Sequence, residues 1–234
     1  MDHVLDNPAW NAMISFNREL SLGNEDVRYF QDTVSPFAGL RLPGSDSLMQ
    51  LYELLPPGRV TATVTAAVLD IPSCWTILYE ASLLQMTCKH FRSAATSTQS
   101  IVKLGTEHVP QMITLTKLTN PGPFAERTIE FGNYTGIFSS GELAAMAGQR
   151  LHAFDYTEIS AVCTHLDQAG KGYGRALVAW QAEQIIGAGG IPFLHVRKDN
   201  ATAIKLYEQS GFTVRREMQF YVLQKAASND NSVK

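Results

Sequence analysis

The sequence predicts an α/β (α+β) fold: a mixed, mostly antiparallel sheet flanked by helices, with a smaller α/β subdomain at the N-terminal end. Three observations predict it. Short apolar runs of strand length alternate with amphipathic stretches of helix length along the chain. Ser139-Ser140-Gly141 joins two such runs with the residues of an antiparallel hairpin turn. A glycine loop from Ala169 to Gly174 stands between a strand pattern and a helix pattern. At about 150 residues per domain, 234 residues make one large domain or two small ones.

The elements follow in order. Pro8 to Leu20 and Asp46 to Leu55 read as helices. Val60 to Val68 alternates Val and Ala with Thr61, Thr63 and Thr65, the period of a half-buried strand. Trp75 to Tyr79 and Leu83 to Cys88 add two strands. Between Arg92 and Ser100 five of nine residues are Ser or Thr, which marks a linker. The expected organisation is a supporting subdomain over 1–91, a linker over 92–100, a second domain over 101–226 and a polar, loose tail over 227–234.

In the second part Ile101 to Leu104 is a strand, and Thr106 caps a helix that carries Pro110 in its first turn and runs to about Leu118. Asn120-Pro121-Gly122-Pro123 stops it, and a short helix follows near Ala125 to Phe131. Tyr134 to Phe138 and Leu143 to Leu151 form the hairpin, and Thr157 to His165 is the next strand. Beyond the glycine loop come a helix from Arg175 to about Ile186, a strand from Ile191 to Val196 and a helix from Ala201 to Gln209 ended by Gly211. Strands at Phe212 to Arg216 and Phe220 to Leu223 complete the order β-α-α-β-β-β-α-β-α-β-β.

Composition excludes several classes. Apolar residues are 45% and charged residues 18%, and 19 Lys and Arg against 22 Asp and Glu give a net charge of −3, which argues against nucleic acid as the main partner. No apolar run approaches the roughly 20 residues that span a bilayer, so no membrane partner is expected. The N-terminus opens with Asp2 and His3 and reaches Asp6, Asn7 and Pro8, unlike a secretory signal. Cys74, Cys88 and Cys163 are odd in number and lack a CxxC pair, so neither a disulfide framework nor a metal site is expected and a reducing cytoplasm is the simplest location.

Ala169-Gly170-Lys171-Gly172-Tyr173-Gly174 follows a strand and opens a helix, so its amides can converge with the helix dipole on an anion. Glycine clears the way for a diphosphate, and Lys171 and Arg175 supply charge beside it. A structural turn gives the same letters. The dinucleotide pattern GxGxxG, with an acidic residue about 20 positions on in a parallel sheet, does not fit.

GKGYGRAL after the strand EISAVCTH, followed by HVRKDNATAIKLYEQSGF, resembles the core of the GNAT superfamily of acetyl-CoA-dependent N-acetyltransferases. The resemblance covers about Ser100 to Gln224 and includes Asn200, Ala203 and Tyr207 in the pattern Asn-x-x-Ala-x-x-x-Tyr. It looks closest to the glycine N-acyltransferase-like branch and gives no guidance for residues 1–91. One departure is Ala169, where the family usually has Arg or Gln, with Gln168 just before it. The resemblance implies acetyl-CoA (CoA) binding at Ala169, Gly170, Lys171, Gly172, Tyr173, Gly174 and Arg175, mostly through backbone amides, with Lys171, Arg175 or Gln168 compensating for Ala169.

Direct transfer to an amine needs the amine deprotonated, the thioester carbonyl polarised and the departing thiolate protonated. The resemblance implies Tyr207 as the acid near the sulfur; an ordinary core tyrosine is the alternative. It implies a backbone N–H at about Val162 for the thioester oxygen, with Cys163 and Thr164 lining the pantetheine arm through main-chain groups. Cys163 itself reads as a small buried hydrophobe. Glu158, fourteen residues before Gly172, matches the spacing of a catalytic glutamate in histone-acetylating relatives. On a regular strand it shares a face with Ser160, Val162 and Thr164. A carboxylate paired to a neighbouring strand or to a cationic substrate is the alternative, and His165 is the alternative base. Asn200 either holds the pantetheine arm or caps the helix that starts at Ala201, or does both. Trp10 and Trp180 read as packing residues. Glu126, Arg127 and Glu130 fall where such a family lines its acceptor cleft.

The expected function is therefore transfer of acetyl from acetyl-CoA to a primary amine in a ternary complex. The expected acceptor is a small amine or an amino acid, with a protein amine as another option. The rival is a non-catalytic acyl-CoA-binding sensor or partner-docking module on the same fold.

Overall fold

The computed structural model describes residues 3–89, 91 and 100–227. Most of the expected linker, 92–99, and most of the expected tail, 228–234, lie outside the described residues.

Helix α1 (Pro8–Met13) has Pro at its start, where no amide partner is needed. It ends seven residues before the expected Leu20 because side chains capture the backbone beyond it. Ser15 Oγ donates to the Asn11 carbonyl at 2.5 Å, and Asn17 Oδ1 accepts from the His152 amide at 2.8 Å. Three short strands, β1 (Ser21–Gly23), β2 (Val27–Phe30) and β3 (Ala38–Leu40), form an antiparallel sheet of their own. The sequence reading missed them because runs of three or four residues carry almost no periodicity. Helix α2 (Ser45–Leu54) follows within a residue of expectation, whereas strand β4 (Val60–Thr65) stops three residues before the expected Val68 and is buried on both faces, Thr61, Thr63 and Thr65 included, because elements pack on each side of the sheet.

Strand β5 (Trp75–Thr87) is one element where two were expected, and so is the last strand, β11 (Thr213–Lys225). The two pair antiparallel from Thr87–Thr213 to Trp75–Lys225, so the polar residues in their middles stay in the ladder. Between them in sequence come β6 (Val102–Lys103), α3 (Val109–Thr119), β7 (Thr135–Ser139), β8 (Glu142–Ala153) and β9 (Tyr156–Thr164). Then follow α4 (Tyr173–Gly187), β10 (Ile191–Arg197) and α5 (Ala201–Gln209). The expected helix near Ala125 is a single 3-10 turn, Thr128–Phe131.

Among the described residues the main sheet has eight strands in the order β4-β11-β5-β10-β9-β8-β7-β6, and only β9 and β10 pair parallel among its ladders. Two strands from before the expected linker, β4 and β5, thus belong to the same sheet as the later ones. The sheet is continuous across the boundary drawn at 92–100. Ser and Thr content reports where the chain is polar, whereas hydrogen-bonded pairing decides which strands share a sheet.

Helices cover both faces. On one, α4 buries Val178, Ala182 and Ile185 against Ile159 of β9 and Leu194 and Val196 of β10, with Tyr207 of α5 in the same cluster. On the other, α1 packs Ala9, Ala12 and Met13 against Leu151, Phe193 and Met218, and α3 packs Met112 and Leu115 against Tyr134, Met146 and Cys163. Each fully buried aliphatic side chain contributes roughly 1.5–3 kcal/mol through removal from water.

Candidate active site

The two parallel strands part at the centre of the sheet. Ile191, Pro192 and Phe193 of β10 pair with Tyr156, Thr157 and Glu158 of β9, and no rung follows. Three residues on, Ala161 takes φ +52°, unusual for a residue with a Cβ, and β9 slips register against β8 between Ser160 and Cys163. Ala161 and Val162 fall outside both ladders. The bulge also exchanges faces. Ile159 and Val162 pack with α4, whereas Ala161 and Cys163 pack with α3. The expectation that Glu158, Ser160, Val162 and Thr164 share one face is corrected accordingly, because it required a regular strand. Glu158 precedes Ile159 and lies on the α3 side, and Val162 lies on the α4 side.

The splayed side leads to the glycine loop. Gly170 and Gly172 both take φ +78°, and a Cβ at either would meet nothing within 4 Å, so the loop is an open cradle. Gly172 is the N-cap of α4, whose first-turn amides have no partner within the helix. Tyr173 turns inward and is buried beside Leu177, while Lys171 and Arg175 are exposed. Lys171 Nζ donates to Gln168 Oε1 at 2.7 Å, so Gln168 and the lysine stand together beside exposed Ala169. A Cβ at Gly174 would lie 3.6 Å from Oγ1 of Thr164, which puts the end of β9 against the start of α4. These residues fit a diphosphate.

On the same face Asn200 caps α5, its Oδ1 accepting from the Ala203 amide at 3.1 Å. Tyr207, 9% exposed, packs against Phe212 and shares a cluster with Val162, Val178 and Val196. Burial pushes its hydroxyl up to about 12, so it carries its proton at any ordinary pH. Cys163 is buried, and burial pushes its thiol up to about 11, which fits a hydrophobe and not a nucleophile. His165 caps the 3-10 turn that leads into the loop, accepting from the Asp167 amide at 3.2 Å.

Glu158 differs most from expectation. It is 1% exposed, and Arg150 of β8 donates to both its oxygens at 2.8 Å while His195 Nδ1 lies 2.7 Å from Oε1. Burial pushes its carboxyl upward, but the Arg150 charge and hydrogen bonds, followed by those of His195, outweigh that and hold it at about 2. A carboxylate so held is a weak proton acceptor near neutral pH, and its geometry is that of an anion fixing Arg150 and His195. The chain of contacts continues. Gln85 Nε2 donates to the Leu5 carbonyl at 2.9 Å and lies 3.0 Å from His195 Nε2, and Gln85 Oε1 accepts from Arg215, which pairs with Asp6 at 2.6 Å. This pattern orients the His195 ring with Nδ1 towards Glu158 and Nε2 towards Gln85. The sequence reading missed Arg150, His195 and Gln85, since their meeting depends on three strands far apart in sequence.

A cleft of about 530 Å³ opens beside this network, lined by Phe37, Tyr79, Arg150, His195, Arg197 and Phe220 among others. His195 and Arg197 alternate with Leu194 and Val196 on β10, so the cleft lies on the face opposite α4 and Tyr207. Residues Asn120 to Pro123, after α3, close one side. Arg127 pairs instead with Glu130 at 2.6 Å and with Gln31 at 2.7 Å, and neither it nor Glu126 lines the cleft. A second cleft of about 560 Å³, around Lys89, Thr213 and Arg215, is lined by neither the glycine loop nor the bulge. Among the described residues no group of three His, Cys, Asp or Glu is placed to hold a metal ion, and no helix is long and apolar enough to cross a membrane.

A family model described as FR47-like protein matches residues 134–221, which contain the bulge, the loop and Tyr207. A GNAT-family protein from Novosphingobium aromaticivorans DSM 12444 is 32% identical over 97% of this chain and 100% of its own, with a TM-score of 0.89. Its coverage takes in residues before the expected linker as well. Two further structures share the fold. A GCN5-related N-acetyltransferase from Kribbella flavida has a TM-score of 0.60 at 14% identity, over 92% of this chain and 95% of its own. A GCN5-related N-acetyltransferase-like protein from Streptococcus suis 89/1591 has a TM-score of 0.51 at 14% identity, over 87% and 82%. No curated protein matches in sequence. With the splayed parallel strands, the bulge and the glycine loop in one continuous fold, the chain belongs to the GNAT family of acetyltransferases.

Proposed function

We propose that this chain transfers acetyl from acetyl-CoA to a primary amine of a small molecule by direct attack in a ternary complex. One observation carries the reading. The opening between β9 and β10, with the bulge at Ala161 in its wall, runs to an open glycine cradle at the N-terminus of α4. Acetyl-CoA, when bound, supplies the activated thioester. The amides of residues 169–175 hold its diphosphate. Val162, outside both ladders, offers backbone groups to the acyl end, and Cys163 and Thr164 contribute main-chain groups alongside it. Tyr207, protonated and on the same face, gives its proton to the leaving thiolate, and the proton that the attacking nitrogen sheds passes to solvent water, from which the hydroxyl is restored. Asn200 holds its cap and offers its remaining amide to the pantetheine arm. Glu158 is a positioning residue, fixing Arg150 and His195 at the wall of the opposite cleft.

That cleft is the acceptor site in this reading, so donor and acceptor approach the splay from opposite faces of the sheet. A free amino acid is an acceptor in keeping with the resemblance to the glycine N-acyltransferase-like branch. Calorimetry with acetyl-CoA tests the donor site. The wild type binds, and Gly172→Asp, which sets an anion in the cradle, loses affinity by at least about a hundredfold with its circular dichroism unchanged. Thiol release with a panel of amines then separates a transferase from a binding module of the same fold. Acetyl-CoA bound without thiol release by any amine supports the module.

A further inference from the structure

The cleft on the α3 side carries a charge pattern that narrows the acceptor, given the transferase reading above. Among the described residues its ionisable lining consists of Arg150, Arg197, His195 and Tyr79, with no Asp or Glu. The carboxylates that pair with the two arginines, Glu158 and Asp199, do not line it. The Glu158 pair uses Nε and Nη2 of Arg150 and leaves Nη1 uncommitted by that bridge. Arg150 cannot swing away, since its guanidinium also lies 4.6 Å from the centre of the Phe37 ring and its side chain is only 12% exposed. Arg197, by contrast, is 61% exposed, and its surface pair with Asp199 is of the weak kind that another anion can replace. The other wall is apolar. Phe220 stands between Phe37 and Tyr79, with ring centres 6.1 and 6.2 Å away, and Leu83 is beside them.

We infer that the acceptor is a free α-amino acid with an apolar, preferably aromatic, side chain. Its carboxylate meets the arginines and its side chain lies on the Phe37–Phe220–Tyr79 wall. A polyamine, an aminoglycoside or a lysine side chain brings cationic charge to a cleft whose described lining holds two arginines and no carboxylate, and each is disfavoured. An amine of the same shape without the carboxylate leaves the arginines with no new partner. The volume of about 530 Å³ suits a small molecule.

The test compares phenylalanine, phenethylamine, glycine and spermidine as acceptors by thiol release from acetyl-CoA, and as ligands of the cofactor-free chain by calorimetry. Phenylalanine is expected to exceed each of the others in kcat/KM by roughly tenfold or more. Arg197→Gln, at an exposed position, lowers kcat/KM for phenylalanine roughly tenfold and leaves acetyl-CoA affinity unchanged. If spermidine or phenethylamine is the better acceptor, the inference is overturned and the transferase reading stands. If no amine releases thiol but phenylalanine binds where spermidine does not, the transferase reading fails and the assignment of the cleft stands. Absence of phenylalanine from both assays overturns the assignment.

Discussion

The side chains of His195 and Glu158 meet at 2.7 Å, beside the last rung that joins β10 to β9. The contact ties the two strands together where their backbones separate, and Arg150 completes it from β8. Because Glu158 is 1% exposed, Glu158→Gln leaves the Arg150 charge buried without a counter-ion. A loss of about 3–5 kcal/mol in urea denaturation is expected, with activity falling alongside. A Glu158→Gln protein of wild-type stability with only kcat reduced would return the residue to the role of general base.

Stability should also depend on pH through this residue. Its carboxyl is held at about 2 against an ordinary 4.5, so the folded state binds its proton less readily than the unfolded chain does. The contribution is full above about 4.5 and is lost as pH falls towards about 2. On the order of 3 kcal/mol is involved. Urea midpoints measured between pH 6 and pH 3 should show a steeper decline for the wild type than for Glu158→Gln.

Tyr207→Phe removes one hydroxyl and keeps the packing against Phe212. We expect kcat to fall about a hundredfold while acetyl-CoA affinity and melting temperature hold. With the hydroxyl at about 12, no loss of rate from its ionisation is expected below pH 10. An unchanged kcat would remove Tyr207 from the mechanism.

Gly148 of β8 lies under the fully buried ring of Tyr134, and a Cβ there would overlap the ring carbons. Both are backbone-anchored, so neither can retreat. Gly148→Ala should cost about 1–3 kcal/mol by thermal or urea unfolding.

The Tyr134 hydroxyl has no hydrogen-bond partner among the described residues, and burial pushes its pKa upward. Deleting an unsatisfied buried group removes its desolvation cost. Tyr134→Phe is therefore expected to be neutral or to stabilise by up to about 1 kcal/mol in the same assay. A marked loss of stability would mean that the hydroxyl has a partner after all.

What could be read from the sequence was local. The cap at Asn200, the helix from Ala201 to Gln209, the glycine turn before α4 and the burial of Cys163 all follow from neighbours within a few residues. Capping, left-handed glycine and period-2 or period-3.6 burial act over that range. The resemblance around GKGYGRAL added the family and the likeness to a CoA cradle.

Only the tertiary structure decided the rest. The insertion of β5 between β10 and β11 depends on which edges pair, and pairing joins residues more than a hundred positions apart. The bulge at Ala161 inverted the face that regular alternation assigns to Val162 relative to Glu158, and no glycine marked it. Glu158 could be read as a base or as half of an ion pair until Arg150 and His195 stood beside it. Nothing in its own neighbourhood along the chain distinguishes the two, because a carboxylate's proton affinity is set by the charges and burial around it in space.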